Sequence, residues 1–277
     1  MNSKLIVYPT DFSDCAKNTM PYVIALAKAL KSKIRIVHAI EIGSLASAEK
    51  NPTILLDTIR LLEEEAKNKL VKLKERIEAF NLECAYDIVR GQTLFLKEYM
   101  ENLDPLMVIM GTIGNHGIEN KIFGSLAAQT IRNTKSIVLT VPKEAKFDNL
   151  SEIVFATDFH IKDTTCIRFI KEIIQYYGAG LHIIHISRYF EDLEQEREKL
   201  LQLETEVAKM ISSENFRFEL LYAKDIEDEL AALLENSKPD MLVLITRNRN
   251  FIERIFEKSL SKKMVNHTHT PVLVFPS

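Results

Sequence analysis

Cysteine is scarce in this chain, and its three copies, Cys15, Cys84 and Cys166, show neither paired nor metal-like spacing. An odd number so placed suits a reducing compartment better than a disulfide framework. A surplus of either charge is also missing. The formal net charge is -3, so the chain has no global basic field of the kind that nucleic-acid binders use to neutralise phosphates. No apolar run approaches the length of a membrane span. The short run after Met1-Asn2-Ser3-Lys4 ends at Tyr8-Pro9, too short for the hydrophobic region of a signal peptide. These absences point to a cytoplasmic protein whose partners are small ligands and other proteins, with no nucleic acid and no membrane. Glycine is scarce too, with only eight in 277 residues, and half of those fall in one short stretch.

Hydrophobic residues make up 46% and charged residues 27%, a balance that buries a core. Length alone leaves open two ordinary domains or one large one, so internal similarity decides. Leu5-Ile6-Val7-Tyr8-Pro9-Thr10-Asp11-Phe12 aligns with Ile153-Val154-Phe155-Ala156-Thr157-Asp158-Phe159, the Thr-Asp-Phe triplets matching at an offset of 147. The next apolar run keeps that offset and pairs His38 with His185. Further on, Leu106-Met107-Val108-Ile109-Met110 matches Met241-Leu242-Val243-Leu244-Ile245, and Ile137-Val138-Leu139-Thr140-Val141-Pro142 matches Pro271-Val272-Leu273-Val274-Phe275-Pro276. The offset has by then fallen to about 135, so the first copy holds about a dozen extra residues. The small and polar stretch from Gly43 to Pro52 is the expected place for them, and Lys143 to Asn149 is the expected link. Expected domains are residues 1–145 and 150–277.

Each copy alternates short β-branched runs with longer amphipathic segments, the pattern of βαβ units and a parallel sheet covered on both faces. In the first copy the spacing predicts strands near residues 4–9, 33–40, 82–89, 106–111 and 137–141, with a helix from about Thr53 to Phe80. An exposed apolar last strand invites pairing, so the two copies are expected to join through residues 137–141 and 271–275 as an intramolecular pseudo-dimer. A homodimer of the whole chain is a further possibility.

Gly111, Gly114, Gly117 and Gly124 fall within fourteen residues directly after the strand ending at Met110. Glycine lets a ligand approach the backbone closely, which is useful where main-chain N–H groups cradle phosphates. Gly124-Ser125 then opens an amphipathic segment from Leu126 to Asn133, whose helical N-terminus would favour an anion. Asp11 follows the first strand and should reach the same sheet edge, where open parallel sheets bind their ligands. Two plainer readings stand beside these. A glycine-rich loop can simply turn, and Asp11 can be the N-cap of a helix beginning near Ser13.

With these residues the chain resembles a tandem universal stress protein. Tyr8-Pro9-Thr10-Asp11-Phe12-Ser13 is similar to that family's first strand and turn. Met110-Gly111-Thr112-Ile113-Gly114, nine residues, then Gly124-Ser125 fits its nucleotide-binding pattern Gly-x2-Gly-x9-Gly-Ser/Thr. The resemblance implies an α/β fold, a five-stranded parallel Rossmann-like sheet of order 3-2-1-4-5 in each copy, and ATP, with Mg2+ as its candidate counter-ion, across the first and fourth strands. Asp11 would contact the adenine or ribose side and the Ala39 backbone the adenine. Gly111 and Gly114 would admit the ribose and phosphates, Gly124 and Ser125 would bind the phosphates, and Met110 and Leu126 would flank them. The implied role is a stress-response module that senses or holds ATP and acts on an unidentified protein partner.

The second copy departs at every glycine, reading Thr246-Arg247-Asn248-Arg249-Asn250 and later Glu257-Lys258-Ser259, so its site is expected to be degenerate. His38 and His185 read as structural histidines. His267 and His269 lack the further ligands of a transition-metal site. Ser125 has no nucleophile elbow around it and no partnered base, and the loop lacks the Gly-Lys-Ser/Thr ending of a P-loop. The alternatives to a nucleotide-sensing module are a slow ATPase and a scaffold that binds no nucleotide.

Overall fold

The computed structural model describes residues 4–43, 45, 50–91, 93–112, 125–159, 162–189, 192–212, 215–246 and 269–276. In chain order the first half gives β1 (Leu5–Pro9), α1 (Asp14–Leu30), β2 (Lys33–Ile40), α2 (Pro52–Glu78), β3 (Cys84–Arg90), α3 (Thr93–Asn102), β4 (Met107–Gly111), α4 (Ser125–Asn133) and β5 (Ile137–Val141). The second gives β6 (Glu152–Ala156), α5 (Asp163–Tyr177), β7 (Gly180–Ser187), α6 (Leu193–Ala208), β8 (Phe216–Tyr222), α7 (Ile226–Ser237), β9 (Met241–Thr246) and β10 (Val272–Pro276).

All ten strands form one sheet in the order β3-β2-β1-β4-β5-β10-β9-β6-β7-β8. Each half is parallel and has the order 3-2-1-4-5. The central strands β1 and β6 are continuous apolar runs because helices cover both of their faces. The outermost strand β8 alternates instead, exposing Arg217 and Glu219, charges that discourage another chain from adding to the edge.

The halves meet where β5 pairs with β10 antiparallel, in the register Leu139 to Leu273 and Val138 to Val274. Thr140 Oγ1 also donates to the Val272 carbonyl at 3.3 Å. Because this one pairing is antiparallel, the carboxyl ends of the two sets of strands lie at opposite ends of the sheet. On one face α1 packs on α5 across the join, and Tyr177 donates its hydroxyl to the Ala25 carbonyl at 3.0 Å. Phe147 of the connecting segment stands edge-on to Tyr22 at 5.0 Å and to Tyr177 at 6.3 Å. The buried cluster on this face is continuous through both halves, from Ile6 and Ile34 to Ile183 and Met241. On the other face Ile131 of α4 touches the clusters of both halves.

The extra length of the first half is placed differently from the expectation. The α2 helix runs 27 residues against 16 for α6, so most of the excess lengthens a helix instead of enlarging the polar stretch from Gly43 to Pro52. Asn51 caps α2 by accepting from the Thr53 N–H, and Pro52 fits the first helical turn, where an N–H has no partner to lose. The cap thus starts the helix at the end of that stretch, one residue before the expected Thr53.

A core shared across the join makes the sheet one cooperative unit. We expect calorimetry to show a single unfolding transition. Phe147→Ala, which removes the ring wedged between Tyr22 and Tyr177, should lower its midpoint at a cost of about 2–3 kcal/mol. Two resolved transitions, or an unchanged midpoint, would contradict this.

Candidate functional site

At the carboxyl end of β1 the chain makes a tight turn whose hydrogen bonds come from its own side chains. The Thr10 N–H donates to the Val37 carbonyl at 2.9 Å, extending the β1–β2 ladder by one bond. Thr10 Oγ1 accepts from the Phe12 N–H at 3.1 Å, and Asp11 Oδ1 accepts from the Ser13 N–H at 3.0 Å. These bonds hold Phe12 at φ 62, the left-handed region that a non-glycine residue seldom occupies. Ser13 then caps α1 by accepting from the Ala16 N–H at 3.1 Å. The N-cap reading of Asp11 is therefore corrected. Ser13 is the cap, because Asp11 is spent one step earlier in closing the turn.

His38 locks this turn from the neighbouring strand. Its Nδ1 lies 2.7 Å from the Thr10 carbonyl, which can only accept, so Nδ1 carries the proton. Its ring stacks at 4.5 Å on Phe12, over which the Lys69 ammonium sits at 5.4 Å. The second half repeats the device. His185 Nδ1 is 2.8 Å from the Thr157 carbonyl, its ring is 4.2 Å from Phe159, and Lys199 lies 5.8 Å over Phe159. Phe159 is at φ 57. The paired histidines are structural, as their matched positions in the sequence suggest.

The turn leaves a gap at the sheet edge. The ladder between β1 and β2 ends at Pro9 and Val37, while β2 continues to Ile40. Main-chain groups of a strand alternate in direction, and the Val37 carbonyl faces β1. Ala39, two residues on, therefore points its N–H and carbonyl the same way, past the end of β1. On the opposite side β4 pairs with β1 only at Ile6 and Val7, then runs on through Met110 to Gly111. The connection after β1 crosses one face of the sheet as α1, and the one after β4 crosses the other as α4. Divergence of successive crossovers defines the switch point at which such sheets bind ligands.

Asp11, Ala39, Met110 and Gly111 are thus brought to one edge, and α4 begins at Ser125 with Leu126 packed into the cluster of Val7 and Met110. Gly114, Gly117 and Gly124 lie outside the described residues. So do Arg247, Arg249 and Lys258 of the second half, along with His267. An open cleft of about 730 Å³ lies elsewhere, between α2 and the edge strand β3, lined by Arg60, Glu63, Glu64, Lys67, Ile88 and Arg90. The Arg90 guanidinium is bound to both oxygens of Glu63, so much of the charge there is already matched within the protein.

The second half changes the surroundings of the same turn. Phe155 stands where the first half has Tyr8, whose hydroxyl donates to the Ala16 carbonyl at 2.5 Å. Asp163 stands where the first half has Ala16, and it is 3% exposed. It accepts a hydrogen bond from the Thr157 hydroxyl. At the end of β9 a side chain, Ile245, occupies the register position that Gly111 holds in β4. The first two exchanges show in the residue alignment at the offset of 147. The third corrects that alignment by one residue, because the strand register sets Met107 against Met241 and so Gly111, not Met110, against Ile245. Among the described residues no cluster of His, Cys, Asp and Glu can hold a metal ion, and no helix is long and apolar enough to cross a membrane.

A doubled five-stranded half with this turn and this switch point defines a tandem α/β protein of Rossmann-like fold. The universal stress protein family model matches the chain twice, over residues 2–142 and 150–276, and the chain belongs to that family. A universal stress protein of Synechocystis is 23% identical over 98% of this chain and 99% of its own length. One of Methanocaldococcus jannaschii is 27% identical over 52% of this chain and 84% of its own length. The crystal structure of a universal stress protein from Archaeoglobus fulgidus superimposes with a TM-score of 0.74 at 17% identity, covering 100% of this chain and 99% of that one.

The histidines give the fold a pH dependence whose sign can be worked out. Burial penalises the charged form of His38 and holds it below the ordinary histidine value, against the Thr10 carbonyl and Asp11, which favour the charge. His182, buried and beside the Arg217 guanidinium, is lowered for the same first reason. The unfolded chain takes up these protons near pH about 6.5, and the folded chain only at lower pH. Stability is then full above that value and falls as the pH drops toward the folded values. Urea midpoints should decline between about pH 7.5 and 5.5, and His38→Gln should flatten the decline. Midpoints that are level across this window would contradict the assignment.

Proposed function

We propose that the chain is an ATP-binding regulatory module of the cytoplasm, with one nucleotide site in its first domain, residues 1–145. The second domain, residues 150–277, is a degenerate copy that serves architecture and recognition of a protein partner. The observation that carries this reading is the meeting, at one switch point, of Asp11, the outward-facing main chain of Ala39 and the Met110-Gly111 strand end, from which the loop leads to the N-terminus of α4. The spacing of Gly114, Gly124 and Ser125 after Gly111 resembles the family's nucleotide-binding pattern.

The residues fit the group. Half-buried Asp11 offers a carboxylate to the sugar or base, and Ala39 offers both a main-chain donor and an acceptor to adenine. Gly124 and Ser125 would hold the phosphates, as the family's pattern implies. When bound, ATP supplies a polyanion, with Mg2+ as its counter-ion, whose presence or loss changes the charge of this edge. Ile245 in place of Gly111 and the buried Asp163 in place of Ala16 support an asymmetric pair of copies. The sequence after Gly111 lacks the Gly-Lys-Ser/Thr ending of a P-loop, so binding, not turnover, is the function proposed.

Calorimetric titration should give about one ATP per chain. Gly124→Asp adds bulk and like charge where the phosphates would lie and should weaken ATP by at least about tenfold, or roughly 1.4 kcal/mol. Lys258→Asp should leave the affinity nearly untouched. Hydrolysis should stay below about one per second, under the usual range of enzymes. Two equivalent sites, or normal binding by Gly124→Asp, would reject the proposal.

A further inference from the structure

The first glycine of the motif has a reason in the fold that the motif does not state. Gly111 is the last residue of β4 and pairs with Val141 in ordinary parallel register. Its counterpart Ile245 makes the same pairing with Phe275 while carrying a full side chain. The described glycines with positive φ are Gly91 and Gly178, so Gly111 does not need glycine for its backbone angle. A Cβ built on Gly111 would lie 2.7 Å from Cys15 Sγ, closer than real contacts allow, and 3.4 Å from the Cys15 Cβ.

Cys15 cannot easily move aside. It is the second residue of α1, 3% exposed, and it follows the Ser13 cap. Its thiol lies 3.5 Å from the carbonyl of Val141, the residue paired with Gly111. Its own carbonyl accepts from the Thr19 hydroxyl at 2.9 Å. In the second half the pair is exchanged as a unit. Lys162 takes the place of Cys15, with its ammonium on the Pro276 carbonyl at 3.2 Å, and Ile245 takes the place of Gly111.

We infer that Cys15 is a positioning residue of the nucleotide site: its thiol fills the space beside Gly111, fixes where the glycine-rich loop leaves β4, and is what makes glycine obligatory there. This rests on the proposed ATP site, and it assigns the requirement at Gly111 to protein packing instead of to close approach by the ligand.

The test compares wild type, Gly111→Ala, Cys15→Ala, the double variant and Cys15→Leu by thermal melting and by ATP titration. Gly111→Ala should bind ATP at least about tenfold more weakly and melt roughly 3–6 °C lower. Added to Cys15→Ala, the same substitution should cost less than about threefold in affinity and only about a degree in melting. Cys15→Leu, with Gly111 kept, should reproduce the loss in both readouts. A double variant that melts like Cys15→Ala yet loses ATP would show that the ligand demands the glycine, and would overturn the inference. So would a double variant that melts as low as Gly111→Ala, or a Cys15→Leu protein indistinguishable from wild type. If wild type itself binds no ATP the proposed function fails, while the melting comparison still decides whether Cys15 dictates Gly111.

Discussion

The antiparallel ladder between β5 and β10 is the interaction on which the rest of the molecule depends. It is short, running from Thr140 and Val272 to Val138 and Val274, yet it turns two five-stranded sheets into one of ten. A strand such as Ile137–Val141, apolar on both faces, is unsafe at an edge, and pairing with its own repeat removes that edge within a single chain. Everything on the α1 and α5 side follows from this. The helices meet because the sheet is continuous beneath them, and Phe147 has a place between Tyr22 and Tyr177 because the connecting segment crosses that seam.

The turn after each first strand shows how a duplicated structure tolerates divergence. The constant parts are the threonine carbonyl that receives the histidine and the threonine hydroxyl that receives the phenylalanine N–H. What varies is the group behind the threonine: the Tyr8 hydroxyl in the first half, and in the second the buried Asp163, with Phe155 at the tyrosine's position. A buried hydroxyl needs a partner but is indifferent to its source, so the two exchanges together preserve the turn.

Much of this was legible in the sequence because it rests on periodicity. The strands at 33–40 and 137–141 appear where their β-branched runs end, and the constant offset of the Thr-Asp-Phe triplets reveals the repeat. What escaped depends on single side chains meeting across space. Whether Asp11 or Ser13 caps α1 turns on which N–H each oxygen reaches. Where the extra residues fall shows only when the copies are compared as structures, because the helix that periodicity marks from about Thr53 to Phe80 runs 27 residues against 16 in the second half. The meaning of Gly111 lay in Cys15, nearly a hundred positions earlier, and no spacing rule connects a helix residue to a strand end. That Asp11, Ala39 and Gly111 lie at one sheet edge was therefore readable before any of their contacts were.

Because the single antiparallel pairing points the two sets of strand ends in opposite directions, the molecule has two unlike poles. A symmetric dimer of one-copy chains would present the same pole twice, and any protein recognising it could be bridged into pairs or arrays. In the tandem chain one pole carries Cys15 and Gly111, and the other carries Lys162 and Ile245. Each kind of pole therefore occurs once per chain.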